Sequence, residues 1–174
     1  MKPNYLTEEA WGRMPVFEKA MHIASGEVGV REIGFNNGEK VLRFLKAVGL
    51  GPGFAWCAAF VYWTLLQAGA NPKLLPSKWT AGRVSTWDKW AKATGRHRQV
   101  PRRGDLGYWL NPDGTGHTFW VTDYDPGTQE IKTVEGNTND GRSREGDGVY
   151  RHSRTIKELA SRKSFGFIRL GALS

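Results

Sequence analysis

The stretch Phe54-Ala55-Trp56-Cys57-Ala58-Ala59-Phe60-Val61-Tyr62-Trp63-Thr64-Leu65-Leu66-Gln67-Ala68-Gly69 decides how this chain folds. Residues 57–68 are apolar almost all round, which predicts a helix buried on every side. Gly69 is its natural C-cap, and Gly51-Pro52-Gly53 makes a turn that no preceding helix can cross. A helix of this kind needs cover from its neighbours. Residues 16–25 supply one cover, with Val16, Phe17, Ala20, Met21, Ile23 and Ala24 at helical spacing and Pro15 at the first-turn position. Residues 39–48 supply another, carrying Val41, Leu42, Phe44, Leu45 and Val48 and ending at Gly49. Between them lies a Gly-rich joint over 26–38 that contains Asn36-Asn37. Residues 70–84 read as loop, and a short helix follows over 85–93, with Ser85 as N-cap and Asp88 three positions on.

After Pro101 the period changes. Segments 105–110, 118–124, 130–135 and 148–152 are short and rich in Val, Ile and aromatic residues. Asn111-Pro112-Asp113-Gly114 and Asp125-Pro126-Gly127 separate the first three, which predicts an antiparallel meander. Residues 155–161 fit one or two helical turns, and 165–170 a last strand. Helices first and strands after predict an α+β fold, with N-terminal helices packed on a C-terminal antiparallel sheet.

Composition narrows the function. The chain has 174 residues, 39% of them hydrophobic and 24% charged, which is globular composition and the length of one domain. Its single cysteine excludes an internal disulfide framework and a zinc site built mainly on thiolates. No run approaches the roughly 18 apolar residues of a membrane span. The first eleven residues hold no apolar core, so no Sec-type signal peptide is expected. The net charge of +8 gathers in Arg102-Arg103, Arg142 with Arg144, Arg151 with Arg154, and Arg162-Lys163. Such an excess suits a polyanion, whether nucleic acid, an anionic membrane surface or an anionic cell wall, and it equally suits a solvated basic face. Charge alone does not choose.

The chemistry-bearing residues are few. Cys57 opens the buried helix, where unpaired backbone N–H groups and the positive end of the helix dipole favour a thiolate. The same N–H groups suit an oxyanion beside the attacking sulfur. A small buried hydrophobe is the other reading of that cysteine. His117 follows Gly114-Thr115-Gly116 and opens an apolar strand, a place from which an imidazole reaches a neighbouring thiol as general base. His22, His97 and His152 lack such a setting and have no metal-ligand spacing. Glu135 and Asn137, in Thr133-Val134-Glu135-Gly136-Asn137-Thr138, share one face of their strand if alternation continues through Gly136. An antiparallel pair of strands beginning at His117 and ending at Glu135 brings a carboxylate or an amide to the imidazole. For Asn137 a turn role is the competing reading, given Asn139-Asp140-Gly141 just beyond.

Four blocks in this order carry a resemblance. Gly53-Phe-Ala-Trp-Cys-Ala-Ala-Phe-Val-Tyr-Trp63, Arg103-Gly-Asp-Leu-Gly-Tyr-Trp109, Gly116-His117 and Val134-Glu-Gly-Asn-Thr138 together resemble a CHAP domain. Gly29-Val-Arg-Glu-Ile-Gly34, Asn37-Gly38 and Val48-Gly49-Leu50 resemble the approach to the nucleophile in such domains, so the likeness spans about residues 20–170. The family is that of the cysteine, histidine-dependent amidohydrolases/peptidases, papain-like in fold. The resemblance implies one catalytic domain over 15–174 after an extension over 1–14. It implies peptidoglycan as substrate, cut at the amide joining glycan to stem peptide or at a peptide bond. Carried over position by position, Cys57 is the nucleophile, His117 the base and then the acid, and Glu135 the orienting residue, with Asn137 sharing or taking the third role.

The run Thr118-Phe119-Trp120-Val121 departs from the small aliphatic residues many relatives carry after the histidine, so bond preference does not transfer. Residues 32–39 hold no Asp-x-Asp ladder, so no calcium, and no other cofactor, is expected. Phe54, Trp56, Tyr108, Trp109 and Trp120 are candidates for substrate binding, with Trp56 as a wall of the cleft. Without a Sec signal, the context expected is a phage lysin released through a holin, or an antibacterial effector exported by dedicated machinery and met by a cognate immunity protein. The alternative is a basic, non-catalytic module on the same fold that binds wall polymer or nucleic acid; specific nucleic-acid recognition is not expected.

Overall fold

A computed structural model describes residues 2–139 and 146–173. The Arg142 and Arg144 cluster and the Asp140-Gly141 turn lie outside the described residues. Six helices and six strands occur among those described: α1 (Glu8–Arg13), α2 (Val16–Gly26), α3 (Glu39–Ala47), α4 (Cys57–Gln67), α5 (Val84–Ala93), β1 (His97–Arg98), β2 (Leu106–Leu110), β3 (Gly116–Asp125), β4 (Glu130–Thr138), β5 (Gly148–Thr155), α6 (Ile156–Ala160) and β6 (Ser164–Ile168). One 3-10 turn, Pro72–Leu74, interrupts the expected loop. The architecture is α+β: helices in the N-terminal part and one antiparallel sheet, ordered β1-β6-β2-β3-β4-β5, in the C-terminal part.

Helix α4 is buried as its composition demands. Cys57, Ala58, Ala59, Phe60, Val61, Tyr62, Thr64 and Leu65 are all interior. It is covered by α2 and α3 on one side and by β3 and β4 on the other. The buried Thr64 hydroxyl is satisfied, because Thr64 Oγ1 donates to the Val61 carbonyl at 2.8 Å and accepts from Trp120 Nε1 at 3.1 Å. Phe44 of α3 meets Trp56, Phe60 and Trp63 with ring centroids 4.9–5.5 Å apart. This cluster, joined by Leu106, Tyr108, Trp120 and Val134 from the sheet, is the main core.

Strand alternation divides the sheet. Tyr108 and Trp120 face the helices, whereas Trp109, Phe119, Val121, Ile131 and Phe167 form a second apolar cluster with Leu159 of α6 on the other face. Asp105 closes the sheet near its middle, accepting Arg169 Nε and Nη2 at 2.9 and 2.8 Å.

Three local expectations change. Helix α5 starts at Val84, and its N-cap position falls to Arg83 with no side-chain bond, so Ser85 does not cap it. Asp88 is drawn away to the Tyr108 hydroxyl and to Lys92. Pro15 takes the N-cap position of α2, one residue before the first turn. The first fourteen residues include a helix that composition alone did not signal, capped by Thr7 accepting from the Ala10 N–H at 3.1 Å, and Trp11 packs against the main core.

Gly136 of β4 lies directly against the rings of Trp56 and Phe60, at the start of α4. A Cβ there would stand 2.8 Å from the rings of Phe60 and Trp56. Gly136→Ala is therefore expected to lower the unfolding free energy by roughly 1–3 kcal/mol, the usual cost of overpacking a filled core. Urea unfolding of the variant beside the parent checks this, and an unchanged midpoint contradicts it.

Candidate active site

The thiol sits where α4 begins. No side chain of the preceding residue caps the helix, so its first N–H groups remain free for other acceptors. Burial opposes ionisation of Cys57. The hydrogen bond and charge of His117, with the backbone N–H groups of Thr118 and Ala58, outweigh it and lower the thiol pKa. The imidazole responds in the opposite sense. Burial works against its protonation, but the hydrogen bonds and charges of Cys57 and Glu135 raise the His117 pKa to about 9. The two shifts act together to favour the thiolate–imidazolium form of the pair.

Glu135 Oε2 lies 2.8 Å from His117 Nε2, which leaves Nδ1 as the ring nitrogen for the thiol. The carboxylate is 0% exposed and every lone pair is used. Oε1 accepts from Arg154 Nε at 2.6 Å and from Thr133 Oγ1 at 2.5 Å, and Oε2 accepts from Arg154 Nη2 at 2.6 Å as well as from His117. Burial would push this carboxyl up. The Arg154 fork first, and His117 second, hold it far below the ordinary carboxylate range. Arg154 is itself fixed, with Nη1 on Glu158 at 2.9 Å and its guanidinium 4.8 Å from the Trp109 ring centre.

Cys57, His117 and Glu135, picked out separately in the sequence, are thus brought together in one hydrogen-bonded series. Asn137 is not part of it. Alternation through Gly136 fails because Asn137 has φ 56° and the β4–β5 register shifts between Gly136 and Thr138. Its side chain turns to the nucleophile loop, where Oδ1 accepts the Trp56 N–H at 2.9 Å and Nδ2 donates to Asn36 Oδ1 at 3.2 Å. Glu32 completes that loop's anchorage, accepting Trp56 Nε1 at 2.6 Å and the Asn36 N–H at 2.8 Å. Among the described residues no group of three or more His, Cys, Asp or Glu side chains could hold a metal ion.

The aromatic candidates divide. Trp56, Tyr108 and Trp120 are interior, with rings and polar tips engaged by Glu32, Asp88 and Thr64, so none presents a face to a substrate. This corrects the placing of Trp56 as a cleft wall: its indole is fully interior, and Cys57 beside it is itself buried, 6% exposed. Trp109 lies at the site, its ring centre 4.8 Å from that of His117, and Phe54 is exposed. A cavity of about 250 Å³ opens beside His117, lined by Trp109, Asn111, Asn137, Thr138 and Arg154 among others. The other histidines are elsewhere: His22 on Tyr5, His97 on the β1 edge strand and His152 beside Thr138.

Arg154, Thr133, Asn36 and Glu32 were missed as site residues. Arg154 had counted only as one of a basic pair. A signal was present, since it lies at an alternating position of a strand that pairs with the strand of Glu135, but only register reveals the meeting.

A nucleophilic thiolate, an imidazolium and an orienting carboxylate in series are the parts needed for acyl transfer through a thioester. The CHAP domain family model matches residues 49–137, just over half of the chain, and the chain belongs to this family of cysteine- and histidine-dependent amidohydrolases and peptidases that act on peptidoglycan. No curated protein and no solved structure matches it.

Two measurements test the site's electrostatics. In His117→Ala the midpoint for alkylation of Cys57 by iodoacetamide is expected to move up towards the ordinary thiol range, because His117 supplies the largest thiolate-favouring contributions; an unmoved midpoint contradicts the pairing. Arg154→Met is expected to cost roughly 3–5 kcal/mol of unfolding free energy, as a buried charge loses its partner. Glu135 has a depressed folded pKa, so its contribution is present above the ordinary value of 4.5 and is lost as pH falls. The penalty measured by urea unfolding should therefore shrink on acidification below about 4.5.

Proposed function

We propose that the protein hydrolyses an amide or peptide bond of bacterial peptidoglycan through a Cys57 thioester. The observation that carries this reading is the hydrogen-bonded series from Cys57 through His117 to the fully buried Glu135. The Cys57 thiolate attacks the scissile carbonyl carbon, and the resulting oxyanion is met by N–H groups at the start of α4. The His117 imidazolium gives its proton to the departing amine, and the thioester forms. His117, now neutral, takes a proton from water as that water attacks the thioester, which regenerates the thiolate and releases the acid. Glu135 holds the ring in position through Nε2 and stabilises its charged form, while Arg154 keeps the carboxylate from accepting the proton itself.

A lysin or an exported antibacterial effector is the setting proposed for this chemistry, acting in the periplasm or cell wall after release or dedicated export. No helix among the described residues is long and apolar enough to cross a membrane. In the effector case a cognate immunity protein covers the cleft. The net charge of +8 supports attraction to an anionic wall.

Cys57→Ala is expected to abolish loss of turbidity of purified sacculi, a drop of roughly four orders of magnitude or more in rate, with the circular dichroism of the parent; undiminished lysis by that variant would overturn the proposal. The kcat/KM profile should be bell-shaped, because the working form exists above the lowered Cys57 pKa and below the His117 value of about 9. An alkaline limb that survives His117 replacement would contradict the assignment.

A further inference from the structure

Strand register brings a second arginine to the histidine. Trp109 of β2 pairs with His117 of β3 on one side and with Phe165 of β6 on the other. The turn that leads from α6 into β6 therefore arrives beside the site. Arg162 stands in that turn, and its backbone N–H closes the end of α6 on the Leu159 carbonyl at 3.0 Å. Its guanidinium carbon lies 5.1 Å from the centre of the Trp109 ring, and that ring centre is 4.8 Å from the centre of the His117 ring. A single indole stands between the guanidinium and the base.

The two arginines on that indole differ in what they hold. Arg154 is committed to Glu135 and Glu158. The Arg162 side chain is exposed, and among the described residues it has no hydrogen bond and no ion pair. Resting on an aromatic ring limits its freedom without using its donors. A guanidinium presents its N–H groups as a planar fork that fits a carboxylate two at a time. A fork that is anchored but unmatched has the properties of a receptor for an anion.

The neighbouring cavity agrees in charge. It opens beside His117 and is lined by Trp109. Its described lining residues are neutral or cationic, among them Asn111, Asn137 and Thr138 with His117 and Arg154, while Glu135 is 0% exposed. An anionic group entering there is attracted by Arg162 and meets no opposing carboxylate among the described residues. Stem peptides carry such groups, at the C-terminus and at the α-position of a γ-linked glutamate. Amidation of either one removes its charge and leaves the shape of the stem almost unaltered.

We propose that Arg162 is a specificity-determining residue, which binds a free carboxylate of the stem peptide and so selects ionised stems over amidated ones. This rests on the peptidoglycan reading above and adds the charge of the substrate to it, whichever bond is cut. Trp109 serves as the support that holds the guanidinium at the mouth of the cavity.

The test uses the full chain and a cross-linked muropeptide dimer, which contains each kind of amide and peptide bond in question. The dimer is prepared in three forms: carboxylates free, the glutamyl α-carboxylates amidated, and the C-terminal carboxylates amidated. Products are followed by mass spectrometry, and kcat and KM are measured on each form. One of the two amidations is expected to lower kcat/KM roughly tenfold, through KM, as befits a hydrogen bond between charged groups. The form that responds identifies the carboxylate that Arg162 holds. Arg162→Gln should bring the ionised dimer down to the level of that amidated form. Arg162→Lys keeps the charge without the fork and should fall between them. Because the side chain is exposed and makes no hydrogen bond, circular dichroism of both variants should match the parent. Equal kcat/KM on the three forms overturns the proposal, as does a preference that survives Arg162→Gln or an equal loss on every form. Cleavage without preference refutes the selection by charge and leaves the hydrolase reading standing. No cleavage of any form, or of sacculi, refutes that reading and this proposal with it.

Discussion

The fork that Arg154 makes on Glu135 is the interaction on which the site depends. A carboxylate with no solvent contact is costly unless its lone pairs are met by donors and its charge by a cation. Arg154 supplies two donors and the charge, Thr133 a third donor, and the fourth position is then left for the imidazole. With both oxygens fixed, the ring of His117 has one orientation in which Nε2 is satisfied, and Nδ1 is directed to the thiol. The thiolate at the start of α4 is thus held by a series of alternating charges, Glu158, Arg154, Glu135, His117 and Cys57, that runs from the protein surface to the reactive sulfur.

Building that series requires two layers. Alternation puts Thr133 and Glu135 of β4 on the face away from the helices, where His152 and Arg154 of β5 pair opposite Thr133 and Ile131. The sulfur comes from the other layer, at the end of a helix that packs on β3 and β4. The break in alternation at Asn137 joins them. Its left-handed backbone turns the amide from the histidine towards the Trp56 N–H, so the strand that positions the base also positions the nucleophile. A carboxylate and an amide two positions apart therefore do different work, one on each partner of the ion pair.

Much of the fold was legible in the chain. The buried helix, its two amphipathic covers and the switch to period-two strands follow from residue pattern, and the elements lie within a few positions of their expected places. Where expectation failed, tertiary contacts had outbid local preference. Ser85 is a good cap, but Asp88 is taken by the buried Tyr108 hydroxyl, and the helix starts one residue early without it. Trp56, Tyr108 and Trp120 were candidates for the cleft because they lie in or beside the blocks that carry the family likeness; alternation turns neighbouring strand residues to opposite faces, so membership of a block does not place a ring at the site.

What the sequence by itself determined is the set of candidate groups for the site. A lone cysteine at a helix start, a histidine opening a strand and a carboxylate ending the next are chemically distinctive, and their order carries the family likeness. What only the tertiary structure decided is how those groups are coupled. Arg154 meets Glu135 across nineteen positions of chain, and Asn137 meets Trp56 across eighty-one, because strand register and a single left-handed residue bring them within hydrogen-bonding distance. Side-chain direction at such contacts is set by pairing between distant segments, and no local pattern encodes it.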